Sequence, residues 1–420
     1  MSAGAPRWQE AMEVAAAAGA ACPTPVVERP VAACAGEVLA ADVTAPRPMP
    51  HYASSAMDGF AVAGAGPWRL DPDVDPRVPA TLAPGRARRV LTGSPVPDGA
   101  TGVVRSEYAD VDEVGLRLVA GAPGTELAPG RHIRPAGEES DAGEVLLRAG
   151  TVLGPVDLAL AAVAGHDALP VRRRPRVALV RTGDEVDDAG LPGPGRVRDA
   201  FGPSLPTLIG LLGGRLVLAE HVPDDRGATR AALARAAAGE RADDDSGPVD
   251  LVLTTGATAR SAADHVRRVV EESAAAVLLP ELAVRPGHPT LLARLIDAPA
   301  TFHLGLPGNP LAAFTALRLV GQPFLRGMLG LPAEAPARVH LLDAPRPGRV
   351  DRLAPARRAD VLPGGPAEPV DAPWRLCGAD GSGMLRGLAA AEGLVLLATD
   401  GPDPDGRVPL LPLALPGGRA

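Results

Sequence analysis

A chain of 420 residues, 46% of them apolar, is too long for one core and can fill several, so roughly two to four domains are expected. A net charge of −8, with no basic block and only 2% aromatic residues, supplies neither a phosphate-tracking surface nor stacking platforms, which argues against nucleic acid as a partner. No run of about 20 residues is apolar and uncharged, so no membrane partner or span is expected.

From Arg7 to Val43 the pattern reads as a helix followed by short extended segments. The alanine run Ala15 to Ala21 follows Glu10 and Glu13 with no basic stretch before it, and reads as part of that helix rather than as a signal peptide. Cys22, Cys34 and Cys377 form neither a CxxC pair nor a metal spacing. They are expected to be reduced, buried as small hydrophobes, in a cytoplasmic protein. Ala45 to Tyr52, with three prolines, reads as a stiff entry to the next segment. Between Ser54 and about Arg131, short alternating strands are punctuated by Gly and Pro; Glu144 to Arg174 then reads as strand, turn, helix from Pro155, and strand. The basic run VRRRPR at 171–176 is expected to be a solvated linker.

At Arg176 the period changes. RVALVRTGDEV, RLVLAEHV, DLVLTTGA and TFHLGL read as buried strands, with helical SLPTLIGLLGG, ATRAALARAAAGE and SAADHVRRVVEE among them. After Pro336 short strands return, separated by Pro-Gly turns. The expected fold class is α/β and multi-domain, a central three-layer α/β domain with a parallel-rich sheet, flanked by a small β-rich domain and a C-terminal β-barrel-like domain. Boundaries are placed at 1–50 with 133–175 (helical and linker), 51–132 (β-rich), 176–330 (α/β) and 331–420 (C-terminal β).

Ligands of open parallel sheets bind at the carboxyl ends of the strands. Four segments are expected to gather there, namely Thr182-Gly183-Asp184-Glu185, Asp199, Thr254-Thr255-Gly256-Ala257 and Gly305 to Pro310. Backbone N–H groups at glycine turns suit phosphate, and neighbouring carboxylates suit Mg²⁺, although such turns also serve as plain connectors. Trp8, Trp68 and Trp374 are expected to pack in cores, and His51, His132 and His166 to be ordinary surface histidines.

Five strings carry a family resemblance. Ser54 to Val62 (SSAMDGFAV) resembles the SAMDGYA signature of the molybdopterin molybdenumtransferase family, represented by MoeA and the gephyrin E-domain. Arg134 to Glu139 is similar to its R-x-x-GED, Arg181 to Glu185 to its STGDEL loop, Val222 to Asp225 to its DD turn, and Leu306 to Pro310 to its LPGNP. The chain has no lysine and a single asparagine, Asn309, which falls inside that last motif. There are departures. Glu138-Glu139 stands for an ED pair, and Asp199-Ala200-Phe201 keeps only the acid of a D-[ST]-N turn. Thr255 to Asp264 keeps the first glycine and last acid of SGGVSxGxxD, Arg285 to Pro289 replaces KPGKP with RPGHP, and Ala312 replaces a serine.

The resemblance implies Mg²⁺-dependent insertion of molybdate into adenylylated molybdopterin with release of AMP. It implies Asp58, Glu139, Asp199 and Asp264 as catalytic and metal-holding acids. Thr182, Gly183, Asp184, Glu185, Gly256, Pro307, Gly308 and Asn309 would bind the pterin substrate, and Arg285 and His288 the molybdate. Family members are elongated homodimers with the site between the α/β domain of one chain and the small β domain of the other, and molybdopterin adenylyltransferase is a candidate partner. The substitutions keep open a non-catalytic paralogue acting as scaffold or regulator. The adenylyltransferase itself is disfavoured by the Ser55–Val62 string and the C-terminal β region, and the paired SAMDGF and LPGNP strings disfavour an unrelated phosphate-binding α/β protein.

Overall fold

The computed structural model describes residues 5–72, 74–239, 248–256, 265–298, 300–342, 344–359 and 372–413. The chain forms two compact units, Glu28–Val171 and a larger one built from Met1–Val27 and Arg172–Ala420.

The larger unit is organised by a six-stranded sheet. Its strands lie in the order Arg215–Val222, Arg176–Thr182, Leu251–Thr255, Phe302–Leu306, Leu291–Leu295, Ala274–Leu279. The first four are mutually parallel, and Leu291–Leu295 runs against both its neighbours. The two-residue period of a strand explains the layers. Val177, Leu179, Leu251 and Leu253 enter one core with the Leu205–Leu211 helix and the helical stretch from Pro310 to Met328. Ala178, Val180 and Val252 enter another with the Arg226–Ala238 and His265–Ser273 helices. The sheet is therefore covered on both faces, and the four expected strands and three expected helices are present among the described residues. The sequence reading does not anticipate the strands Ala274–Leu279 and Leu291–Leu295, because AAAVLLPEL and LLARL carry no clear alternation and the first continues directly from the His265–Ser273 helix.

The first helix, Trp8–Ala20, buries Trp8, Ala11, Met12, Ala15 and Gly19 in the larger unit, although the sequence grouped it with 133–175. It crosses Gln322–Met328 at backbone distance, since a Cβ on Gly19 would overlap the Phe324 carbonyl oxygen and one on Gly327 the Ala16 carbonyl oxygen. The basic run is pinned rather than solvated. Arg172 donates to the Thr24 carbonyl at 2.9 Å, Arg173 to Asp250 at 2.9 Å, and Arg176 is buried.

The C-terminal sheet runs Val284–Arg285, Asp351–Arg358, Gly393–Leu397, Arg407–Pro412, Ala337–His340, with Trp374–Leu376 also on the Asp351 strand. It does not close into a barrel among the described residues. Its closing contact is one bridge, Leu341 to Trp374, too short to make a ladder.

The smaller unit holds a four-stranded sheet, Arg69–Leu70, Arg86–Val90, Gly59–Val62, Gly102–Arg105, and the hairpin Ala109–Asp112 with Gly115–Leu118. It also holds the expected helix Pro155–Ala164, opened by Gly154 and closed by Gly165 at φ 99°. Trp8, Trp68 and Trp374 are all buried, as expected. His132 is not a surface residue; its side chain is 9% exposed and faces the buried Glu126 carboxylate at 3.4 Å. No helix is long and apolar enough to cross a membrane among the described residues.

Candidate functional site

Three parallel strands end together at one edge of the larger sheet, with Arg181 opposite Thr255 and Thr255 opposite Leu306. Their loops are locked to one another: the Thr182 hydroxyl donates to the Thr255 carbonyl at 2.8 Å, and the Gly256 N–H to the Leu306 carbonyl at 3.0 Å. Glycine is required at 256, where φ is +81° and a Cβ would lie 3.1 Å from Thr182 Oγ1. A Cβ on Gly308 would lie 3.4 Å from the Gly256 Cα, so the two loops meet backbone to backbone.

Over these loops opens a cavity of about 640 Å³. Thr182, Glu185, Asp199, Gly256, Pro307, Gly308 and Asn309 line it, as do Arg181, Phe201, Pro289 and Gly383. Asn309 precedes the Pro310–Ala316 helix, yet its side chain makes no capping hydrogen bond, and it is exposed at the cavity wall. The strand-end residues were readable as loops after strands. Gly383, more than 70 positions after Asn309, had no sequence signal; a Cβ there would lie 3.5 Å from Asn309 Oδ1, and the neighbouring Ser382 carbonyl accepts from the Ala312 N–H at 3.2 Å.

Gly183 and Asp184 turn away from the cavity lining. Gly183 has φ +126°, and its carbonyl meets His221 Nε2 at 3.2 Å. Asp184 and Asp224 exchange backbone-to-carboxylate hydrogen bonds at 3.1 and 3.2 Å, while Asp225 caps the Arg226–Ala238 helix by accepting from the Ala228 N–H at 2.7 Å. The DD turn thus has a latching and a capping role.

Asp199 is 8% exposed and held on three sides. Oδ1 accepts from the Phe201 N–H at 2.8 Å, and Oδ2 from the Gly202 N–H at 2.9 Å and from Arg181 Nη1. The same Nη1 reaches Asp188 at 2.8 Å, and Arg181 holds the Asp188 carboxyl below the usual carboxylate range.

The other acids lie elsewhere. In the smaller unit Ser54 pairs with Arg134 and Ser55 with Ile133, so the SAMDGF and R-x-x-GE strings are antiparallel neighbours. Asp58 Oδ1 accepts from the Thr92 N–H at 2.7 Å and the Thr92 hydroxyl at 3.0 Å, which hold its carboxyl below the usual range; its other oxygen takes no hydrogen bond among the described residues. Glu139 is exposed and lines a cavity of about 610 Å³ with Arg47, Tyr52 and Arg134. The sequence marks Arg47 and Tyr52 only as part of a proline-rich entry. Arg285 and His288 are exposed and do not line the larger unit's cavity, although Pro289 of the same turn does. Asp264 lies outside the described residues.

Whether these residues suit Mg²⁺ differs between them. Asp58 and Glu139, exposed and at most half-occupied by donors, fit a cation that takes one or two carboxylates plus water and phosphate. Asp199 fits poorly, because three N–H donors, one of them the Arg181 guanidinium that already supplies a positive charge, take three of the roughly four acceptor directions of its carboxylate. No group of three or more His, Cys, Asp or Glu among the described residues is placed to hold a metal.

A parallel-rich unit with helices on both faces of its sheet and a cavity built on glycine turns at its strand ends has the architecture of α/β proteins, whose ligand sites lie at those ends. Residues 7–165 match the family model described as MoeA N-terminal region (domain I and II), and residues 178–327 the one described as probable molybdopterin binding domain. Molybdopterin molybdenumtransferase 2 of Mycobacterium tuberculosis is 32% identical over 400 residues, covering 88% of this chain and 90% of the relative. The molybdopterin molybdenumtransferase of Synechococcus elongatus is 32% identical over 337 residues, 76% of this chain and 79% of the relative. A crystal structure of the molybdopterin biosynthesis MoeA protein from Pyrococcus horikoshii shares the fold, with a TM-score of 0.69 at 22% identity over 97% of this chain and 100% of that one. The chain belongs to the molybdopterin molybdenumtransferase family, enzymes of molybdenum cofactor biosynthesis.

Proposed function

We propose that this chain inserts molybdate into adenylylated molybdopterin and releases AMP. The observation that carries the reading is the gathering of Thr182, Glu185, Gly256 and Pro307 to Asn309 around one cavity in a chain of this family. That cavity, about 640 Å³, lies in the range of small-molecule sites. In this reading the Asn309 amide and the backbone N–H groups of the glycine turns orient the pterin and its phosphates. Gly183 and Asp184 support the loop from behind, and Arg285 and His288 hold the molybdate from their exposed turn. Of the four acids that the resemblance implies for Mg²⁺, namely Asp58, Glu139, Asp199 and Asp264, the exposed Asp58 and Glu139 suit it best, and the ion would neutralise charge on the pyrophosphate when bound. The protein acts as a homodimer with the four-domain division set out above, is served by molybdopterin adenylyltransferase, and works in the cytoplasm.

Reconstitution tests this. Protein, adenylylated molybdopterin, molybdate and Mg²⁺ should give AMP only when all are present, and sedimentation should give a dimer mass. Tight binding of the pterin without AMP release would favour the paralogue acting as scaffold or regulator. No binding of the pterin would overturn the site.

A further inference from the structure

The Arg181–Asp199 pair departs from what a metal-assisted site needs, and the departure lies in this chain's own residues. Where the family's STGDEL loop has serine, this chain has Arg181 at the end of a central strand. Its side chain is 16% exposed and that of Asp199 5%. The pair lies against the backbone of its own turn: a Cβ on Gly202 would overlap Asp199 Oδ2 and lie 3.0 Å from Arg181 Nη1, so a side chain there would have to displace one of them. Charge-assisted contacts of this kind, with little water to screen them, are the strong ones.

We propose that Arg181 is the resident cation of Asp199 and replaces a divalent ion there, so that Asp199 is a positioning residue and not a metal ligand. Asp199 fixes the Asp199–Gly202 turn through the Phe201 and Gly202 N–H groups and holds the guanidinium at the cavity wall. Arg181 Nη2 has no partner among the described residues, so the fork can still donate to an anionic group in the cavity. The inference deepens the function proposed above and rests on it for the identity of the cavity's ligand. Whether Asp199 takes a metal can be tested whether or not AMP is released.

Mn²⁺ is the probe, its binding to the full chain followed by electron paramagnetic resonance. Native protein and Asp199→Asn should bind Mn²⁺ alike, because Asn keeps an acceptor for the Phe201 N–H and no metal ligand is lost. Arg181→Ser should gain an Asp199-dependent site at least about tenfold tighter, which Arg181→Ser with Asp199→Asn abolishes. Arg181→Lys, retaining the charge, should behave as native. If Arg181→Ser does not fold, Arg181→Gln serves in its place. A loss of Mn²⁺ affinity in Asp199→Asn alone, or no gain on removing the Arg181 charge, would overturn the proposal.

Discussion

Asn309 shows what a single residue reveals when it is left without structural work. It sits before a helix, where asparagine is favoured for capping, yet it caps nothing, and it is the only asparagine in the chain. Asn309→Ala should therefore leave the thermal midpoint unchanged within experimental error while weakening adenylylated molybdopterin binding about tenfold or more, measured by calorimetry. A fall in midpoint without a change in binding would make it a folding residue. The neighbouring acids divide differently. Asp225 and Asp224 were legible as a family turn, but only their hydrogen bonds separate a cap from a latch.

At the scale of elements, two glycines with opposite consequences test the packing. Gly327 touches the first helix, where a Cβ would also lie 2.7 Å from the Ala20 N, whereas Gly210 in the Leu205–Leu211 helix has nothing within 4 Å of a Cβ. Gly327→Ala should cost about 1–3 kcal/mol by overpacking, while Gly210→Ala should stabilise by about 0.5–1 kcal/mol by restricting the unfolded chain. Urea unfolding of the two variants decides, and equal effects would mean that the helix crossing is looser than described. In the smaller unit, Glu126 accepts from the Arg105 N–H, Nε and Nη2 at 3.0, 3.2 and 3.0 Å. Burial alone would raise its carboxyl, but the Arg105 bonds win and hold it below its usual range. Glu126→Ala removes the buried acceptor of three Arg105 donors and leaves the guanidinium to its Glu107 contact at 3.2 Å, so that unit should be destabilised, seen as an earlier unfolding transition.

For the molecule as a whole, His303 sets a sensitivity to acid. It lies fully buried in the central strand Phe302–Leu306, with Nε2 3.0 Å from Thr254 Oγ1 and no partner for Nδ1 among the described residues. Burial pushes it down to about 3 from its ordinary 6.5, so the folded chain keeps it neutral where the unfolded chain protonates it. A depressed folded value means stability is complete above about 6.5 and is lost as pH falls toward about 3. Between pH 7 and pH 5 this residue should remove about 2 kcal/mol of unfolding free energy. His303→Asn should lose correspondingly less over that interval in urea titrations, and equal slopes for both proteins would exclude the histidine as the cause. No sequence signal marked it, because a lone His in TFHLGL reads like any other polar interruption of a strand.

The sequence by itself determined the four parallel strands of the larger unit and the helices between them, though not the two strands Ala274–Leu279 and Leu291–Leu295. A run such as RVALVRT, followed by a glycine turn and alternating with helical segments, fits a strand buried on both faces of a parallel sheet. It also determined the family, through strings whose residue types are narrowly required. Tertiary structure decided everything that depends on close approach between distant residues. The Gly19–Gly327 crossing, the Gly256–Gly308 contact and the Ser382–Gly383 segment at Asn309 join positions up to several hundred residues apart. It also decided which acids keep free oxygens. Asp58 and Asp199 are the same residue type, yet Thr92 leaves one oxygen of Asp58 open while Arg181 and two backbone N–H groups engage both oxygens of Asp199. Hydrogen-bond donors reach a carboxylate through space, and their geometry is fixed only when the chain has folded.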